Sequence, residues 1–131
     1  MKAVRRILNK LFASRTLILR PEYHAVRDFV ETVPERFAAG EGTLVYKGRN
    51  ELRRMEYKGY DLVVKSFHRP NLINRFVYGI FRPSKAKRSY EHAILYQEIG
   101  VGTPAPVGYL NVRRGLLFDR SYYVTLASTC P

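Results

Sequence analysis

Three short runs separated by two polar turns constrain this chain more than any other feature. Residues 43–46, 51–57 and 60–67 are interrupted only by Lys47-Gly48-Arg49-Asn50 and by Lys58-Gly59. Glycine beside a polar residue lets a chain reverse tightly, so the three runs read as consecutive antiparallel strands, a meander. Downstream, Ser84 is placed as an N-cap, its side-chain oxygen meeting a free backbone N–H, for a helix over 85–99 that Gly100 ends. Residues 100–106, Gly-Val-Gly-Thr-Pro-Ala-Pro, can only be a loop. Residues 107–112 and 117–125 close a last hairpin around Arg113-Arg114-Gly115. Three strands, one helix and two strands predict an α+β fold: an antiparallel sheet of about five strands with one main helix against it.

Upstream of the meander the period is helical. Val4, Ile7, Leu8, Leu11 and Phe12 fall on one stripe, and Lys2, Arg5, Arg6 and Lys10 lie opposite. Residues 1–20 hold six Lys/Arg and no acid, and Asn9-Lys10 breaks the apolar core that a secretory signal needs. This segment reads either as a basic amphipathic helix on an anionic membrane surface or as a surface helix docked on its own domain. Pro21 opens a second helix, in which Tyr23, Val26, Phe29, Val30 and Val33 share a face, and Pro34 is expected to stop it. The domain organisation that follows is a basic amphipathic segment over 1–20 and a single folded unit over 21–131. A chain of 131 residues suits one domain, and an apolar content of 46% excludes wholesale disorder.

Charge narrows the function. The 23 Lys+Arg against 11 Asp+Glu leave a net +12, which calls for an anionic partner such as phosphate, nucleotide, nucleic acid or acidic lipid. The single Cys130 excludes an internal disulfide framework, and three scattered histidines, His24, His68 and His92, make a metal cluster unexpected. No apolar run approaches the roughly 20 residues needed to cross a bilayer. Gly40-Glu41-Gly42 lacks a third glycine and runs into a strand, so it is no dinucleotide fingerprint, and the phosphate loop Gly-x-x-x-x-Gly-Lys-Ser/Thr is missing from the sequence.

The better phosphate candidate is the turn at Gly48, where backbone N–H groups can approach an anion closely. Lys65 sits within the apolar run Leu62-Val63-Val64, and a lysine so placed points either to solvent or into a cleft. Glu91, the only acid between Asp61 and Glu98, could partner it from the following helix. A Lys–Glu pair across sheet and helix, beside a phosphate-cradling turn, is the arrangement of a kinase nucleotide lobe. Taken alone, Lys65 reads as a plain exposed sheet lysine; taken with the strand order, the turn and the helix acid, it reads as functional.

Several stretches together carry a family likeness: Val45-Tyr-Lys-Gly-Arg-Asn-Glu-Leu52, Val63-Val-Lys-Ser-Phe67, Arg69-Pro-Asn-Leu-Ile-Asn-Arg75, Ser84-Lys-Ala-Lys-Arg-Ser-Tyr-Glu91, Thr103-Pro-Ala-Pro106 and Ser121-Tyr-Tyr123. Over residues 16–131 the chain resembles the lipopolysaccharide kinase family, the Kdo and heptose kinases related to eukaryotic-type protein kinases, and most closely members from the Bacteroides group. The resemblance implies a protein-kinase-like N-lobe and ATP-dependent phosphorylation of a lipopolysaccharide inner-core sugar, at the cytoplasmic face of the inner membrane. By matching position, Lys65 would hold the α/β-phosphates, Glu91 would orient Lys65, and Gly48, Arg49 and Asn50 would cover the phosphates. That turn departs from the protein-kinase Gly-x-Gly-x-x-Gly, having one glycine where three are usual. Residues 123–127 would lead into the hinge that reads adenine, and the basic stretch 69–88 would meet acidic sugar or lipid, or form a solvated face.

The catalytic-loop Asp and Asn and the metal-binding Asp of such kinases have no counterpart in the sequence. The Mg2+ ligands are therefore expected in a C-lobe, and the chain is expected to be a truncated ATP-binding lobe without activity of its own. Two other classes compete. Tyr57, Tyr60, Phe67, Phe76, Tyr78 and Phe81 interleave with basic residues as nucleic-acid binders do, but no RNA-recognition motif accompanies them. Alternatively, residues 1–20 and 69–88 bind an anionic membrane surface and no catalysis exists.

Overall fold

The computed structural model describes residues 13–68, 83–100, 102–114 and 117–127. The helix expected over the first twelve residues and most of the basic stretch 69–88 lie outside them. The predicted meander forms as β2 (Thr43–Lys47), β3 (Glu51–Tyr57) and β4 (Tyr60–Ser66). Lys58 and Gly59 both take positive φ, 49° and 81°, between β3 and β4. A two-residue reversal of that hand matches the right-handed twist of the strands it joins. The register follows, with Met55 opposite Leu62 and Leu52 opposite Lys65.

The last hairpin is β5 (Pro106–Arg114) and β6 (Leu117–Leu126), each slightly longer than expected. β6 pairs with β4 from Leu62↔Leu126 to Ser66↔Tyr122, which welds the hairpin to the meander. The sheet then gains a sixth strand where five were expected. β1 (Ala13–Leu19) pairs antiparallel with β5, from Ala13↔Arg114 to Leu19↔Gly108. The final order is β1-β5-β6-β4-β3-β2. The 1–20 segment is therefore not helical throughout: its second half is an edge strand, with Leu17 and Leu19 packed on the core and Ile18 turned outward. Its partner strand lies near the other end of the chain, so nothing local in the sequence announces the pairing.

Between β1 and β2 the expected single helix is three short pieces. A 3-10 helix (Pro21–Val26) runs into α1 (Arg27–Glu31), and α2 (Val33–Ala38) follows a break at Thr32. The Thr32 hydroxyl and backbone N–H both donate to the carbonyls of Asp28 and Phe29 at the end of α1. Pro34 does not stop a helix here. It stands in the first turn of α2, where its missing N–H has no partner to lose.

The apolar face read from the sequence is nevertheless the one that is buried. Val26, Phe29, Val30 and Val33 are fully enclosed against Met55, Leu62, Val64, Leu110, Tyr122 and Val124 of the sheet. Phe29 meets Tyr57 with ring centres 5.4 Å apart, and the Arg36 guanidinium lies over both rings. Arg15 of β1 binds the Glu35 carboxylate and the Glu31 carbonyl, tying the edge strand to the helices. That hydrogen bond from Arg15 holds Glu35 below the ordinary carboxylate range.

The other face of the sheet is covered by α3 (Lys85–Glu98). The Ser84 hydroxyl accepts from the Lys87 N–H at 3.0 Å, the cap the sequence predicted. Ala86, Tyr90 and Ala93 are buried on its inner side, with Phe67 and Tyr109 beneath. The α+β class and the antiparallel sheet are as expected, with helices on both faces rather than one.

Because Phe29 is fully buried at the centre of the larger core, Phe29→Ala should cost about 3–5 kcal/mol in urea unfolding. Leu44→Ala, on an edge strand at 46% exposure, should stay within about 0.5 kcal/mol of the parent. Equal losses at the two positions would mean that the N-terminal helices do not pack on the sheet.

Candidate functional site

The turn between β2 and β3 is built by a register change. A bulge after Leu44 shifts the pairing so that Tyr46 faces Leu52 and Lys47 faces Glu51. The Gly48 N–H then donates to the Asn50 carbonyl at 3.0 Å and closes the turn. The Tyr46 phenol occupies the space into which a Cβ at position 48 would project, so glycine lets the ring lie against the backbone. Asn50 carries a second link, its Oδ1 accepting from the His68 N–H at 2.9 Å. The turn is thereby fastened to the end of β4, while the Arg49 side chain is exposed.

This turn borders an open cleft of about 690 Å³. The floor includes Phe37 of α2 with Ser66 and Tyr122 of the sheet, and Lys47, Arg49, His68 and Arg120 stand around it. The one carboxylate in the lining, Glu51, is already paired with Arg53 at 2.6 Å. The cleft lies on the face of the sheet that the N-terminal helices cover, since Ser66 and Tyr122 continue the alternation of Leu62, Val64 and Val124.

Lys65 lies on the other face. It is half-buried in the middle of β4, between Leu52 and Tyr123 on the neighbouring strands, and its ammonium rests 4.9 Å from the Phe67 ring centre. A lysine over an aromatic face is stabilised by the ring quadrupole. Lys65 is therefore on the α3 side and does not line the cleft that holds Gly48, Arg49 and Asn50. Glu91 is exposed on α3 and pairs with Lys87 one turn earlier, at 3.8 Å. The expected Lys65–Glu91 pair is not formed, for a geometric reason: Tyr90 and Ala93 take the inward positions of α3. Successive helix residues are about 100° apart, so Glu91 is carried away from the sheet.

Three tyrosines fill the space between α3 and the sheet. Tyr90 and Tyr109 meet edge-to-face at 5.3 Å, and Tyr123 packs beside them. Burial pushes the Tyr123 phenol up to about 12, with a smaller push from Tyr90. Burial also raises Tyr90 and Tyr109, the latter helped by the negative charge of Glu91. Nearby on β5, the buried Asn111 Oδ1 has no hydrogen-bond partner among the described residues.

Sequence reasoning singled out the turn but missed Lys47, His68 and Arg120, and missed Phe37 and Tyr122 as a floor. Strand alternation held part of the signal: Ser66 and His68 follow Leu62 and Val64 at the spacing that shares a face. What it could not supply was the neighbouring strand that sets Arg120 beside them. Among the described residues no group of three or more His, Cys, Asp or Glu could hold a metal ion. No described helix is long and apolar enough to cross a membrane. Comparison with family models, curated proteins and solved structures finds no match.

The raised Tyr123 value has a sign. The folded state favours the neutral phenol, so this contribution to stability is whole below the ordinary tyrosine value near 10 and is lost as pH climbs toward 12. Urea midpoints across that window should fall less steeply for Tyr123→Phe than for the parent. Parallel alkaline limbs would show that Tyr123 ionisation is not linked to folding.

Proposed function

We propose that this chain is the nucleotide-binding lobe of an ATP-dependent kinase acting on a lipopolysaccharide inner-core sugar, Kdo or heptose, at the cytoplasmic face of the bacterial inner membrane. The observation that carries this reading is connectivity. A meander is followed by a covering helix and then by a hairpin whose second strand returns beside the meander's third. Along that path lie a tight glycine turn, a lysine in the third meander strand on the helix side, and a glutamate on the helix. That is the chain order that protein-kinase-type nucleotide lobes use.

In this reading Lys65 binds the α/β-phosphates of ATP, and the turn at Gly48, Arg49 and Asn50 covers them with backbone N–H groups. Glu91 orients Lys65 after α3 rotates about its axis and exchanges its Lys87 contact for Lys65. The described residues offer no carboxylate cluster for Mg2+, so no metal ligand and no general base is assigned to this chain. Its own work is to bind and orient the nucleotide. The net +12 favours the anionic substrate and an anionic membrane surface over a neutral partner.

One observation favours a second reading, a non-catalytic basic module for an anionic membrane surface or, less readily, for nucleic acid. Lys65 rests on Phe67 and Glu91 on Lys87, so both are satisfied without a nucleotide.

Titration of ATP into the isotope-labelled chain separates the two. The kinase reading expects amide shifts centred on Gly48, Arg49, Asn50 and Lys65. It also expects an affinity about tenfold weaker in Lys65→Ala, the effect of one charge-assisted phosphate contact, with an unchanged circular dichroism spectrum. Unchanged ATP affinity in that variant would overturn it. Binding to anionic liposomes with no nucleotide response would establish the second reading.

A further inference from the structure

We propose that the cleft between α2 and the β2–β3 turn binds a small phosphorylated molecule with an apolar or aromatic part, sharing the Gly48–Asn50 turn with the nucleotide site proposed above but not Lys65. It lies on the opposite face of the sheet from Lys65, and the inference does not depend on the kinase reading.

The first support is charge. Lys47, Arg49 and Arg120 come from three different places in the chain, the end of β2, the following turn and the middle of β6, and converge with His68 around one opening. Among the described residues none of their side chains makes an ion pair, and Glu51 is engaged by Arg53. Like charges gathered at one opening repel one another, and because all four side chains are exposed, water and salt screen much of that repulsion. An anion relieves it. Two arginines suit phosphate in particular, because the guanidinium fork matches two phosphate oxygens at once.

The second support is the floor. Phe37 and Tyr122 lie with ring centres 5.6 Å apart below the charged rim, and Ser66, a buried residue, adds a hydroxyl. An apolar floor under a cationic rim fits a ligand carrying both characters, and the volume of about 690 Å³ falls within the range of roughly 300–1,000 Å³ usual for small-molecule sites. The recess also argues for a small ligand over a flat bilayer, which would touch the rim and leave the floor empty.

The third support is rigidity. The Asn50–His68 hydrogen bond joins two sides of the opening before any ligand arrives, so less conformational freedom is lost on binding.

Phenyl phosphate, inorganic pyrophosphate and phenol are the probes, read by amide chemical shifts on the labelled chain. Phenyl phosphate should saturate and move residues 47–51, 68 and 120–122. Pyrophosphate should move the same set more weakly, and phenol should do little. Arg120→Ala, an exposed position checked for an unchanged urea midpoint, should weaken phenyl phosphate by about tenfold, and Lys47→Ala should act in the same direction. If ATP still binds Arg120→Ala with parent affinity, the cleft and the nucleotide site are two sites. If Arg120→Ala loses both ligands equally, the cleft stands and the assignment of nucleotide to Lys65 falls. Shifts spread over all basic residues without saturation, or equal phenyl phosphate affinity in Arg120→Ala, would overturn the proposal and leave a general counterion effect.

Discussion

The pairing of β4 with β6 is the contact on which the rest of this structure depends. Among the described residues it is the only pairing that joins the meander to the C-terminal hairpin, running from Leu62↔Leu126 to Ser66↔Tyr122. Through it the two halves become one sheet with two coverable faces. Leu62, Val64, Tyr122 and Val124 point to one side and create the floor on which the N-terminal helices lie. Tyr123 and Phe67 point to the other and receive α3. Without that pairing neither helical layer has a continuous apolar surface to cover, and burial of apolar area is the main term that opposes chain entropy.

The same pairing sorts the polar residues into two environments. On the α3 side Lys65 lies among aromatic rings, satisfied by Phe67, with Tyr123 beside it held neutral to high pH. On the helix side Arg120 is brought to the turn at Gly48, and among the described residues the cations there pair with no carboxylate. Functional chemistry on a sheet depends on which face a side chain takes. The period of two therefore turns Lys65 to the α3 side, onto Phe67 at the edge of the cleft.

The elements themselves were largely legible. Positive-φ chemistry at Lys58-Gly59, the Ser84 cap and the alternation in β4 are local, and each formed where its residues required. The buried stripe Val26, Phe29, Val30 and Val33 was legible too, although the helix carrying it broke at Thr32 and restarted at Pro34. One reading failed for lack of long-range information, and one expected pair is not formed in this structure. Residues 13–19 form a strand only because β5 offers an unpaired edge, and an edge from the far end of the chain leaves no trace in local periodicity. The Lys65–Glu91 pair is not formed because Tyr90 and Ala93 occupy the inward face of α3 and set its rotation.

By itself, then, the sequence determined the turns, the helix cap, the apolar stripes and the strong positive charge. These depend on each residue's own backbone preference and polarity, or on neighbours within one turn. Tertiary structure alone decided the sixth strand, the helical cover on both faces, the placing of Lys65 on the α3 face and the gathering of Lys47, Arg49, His68 and Arg120. Each of those depends on which strand lies beside which, and that is settled by the global burial of apolar surface rather than by any local residue preference.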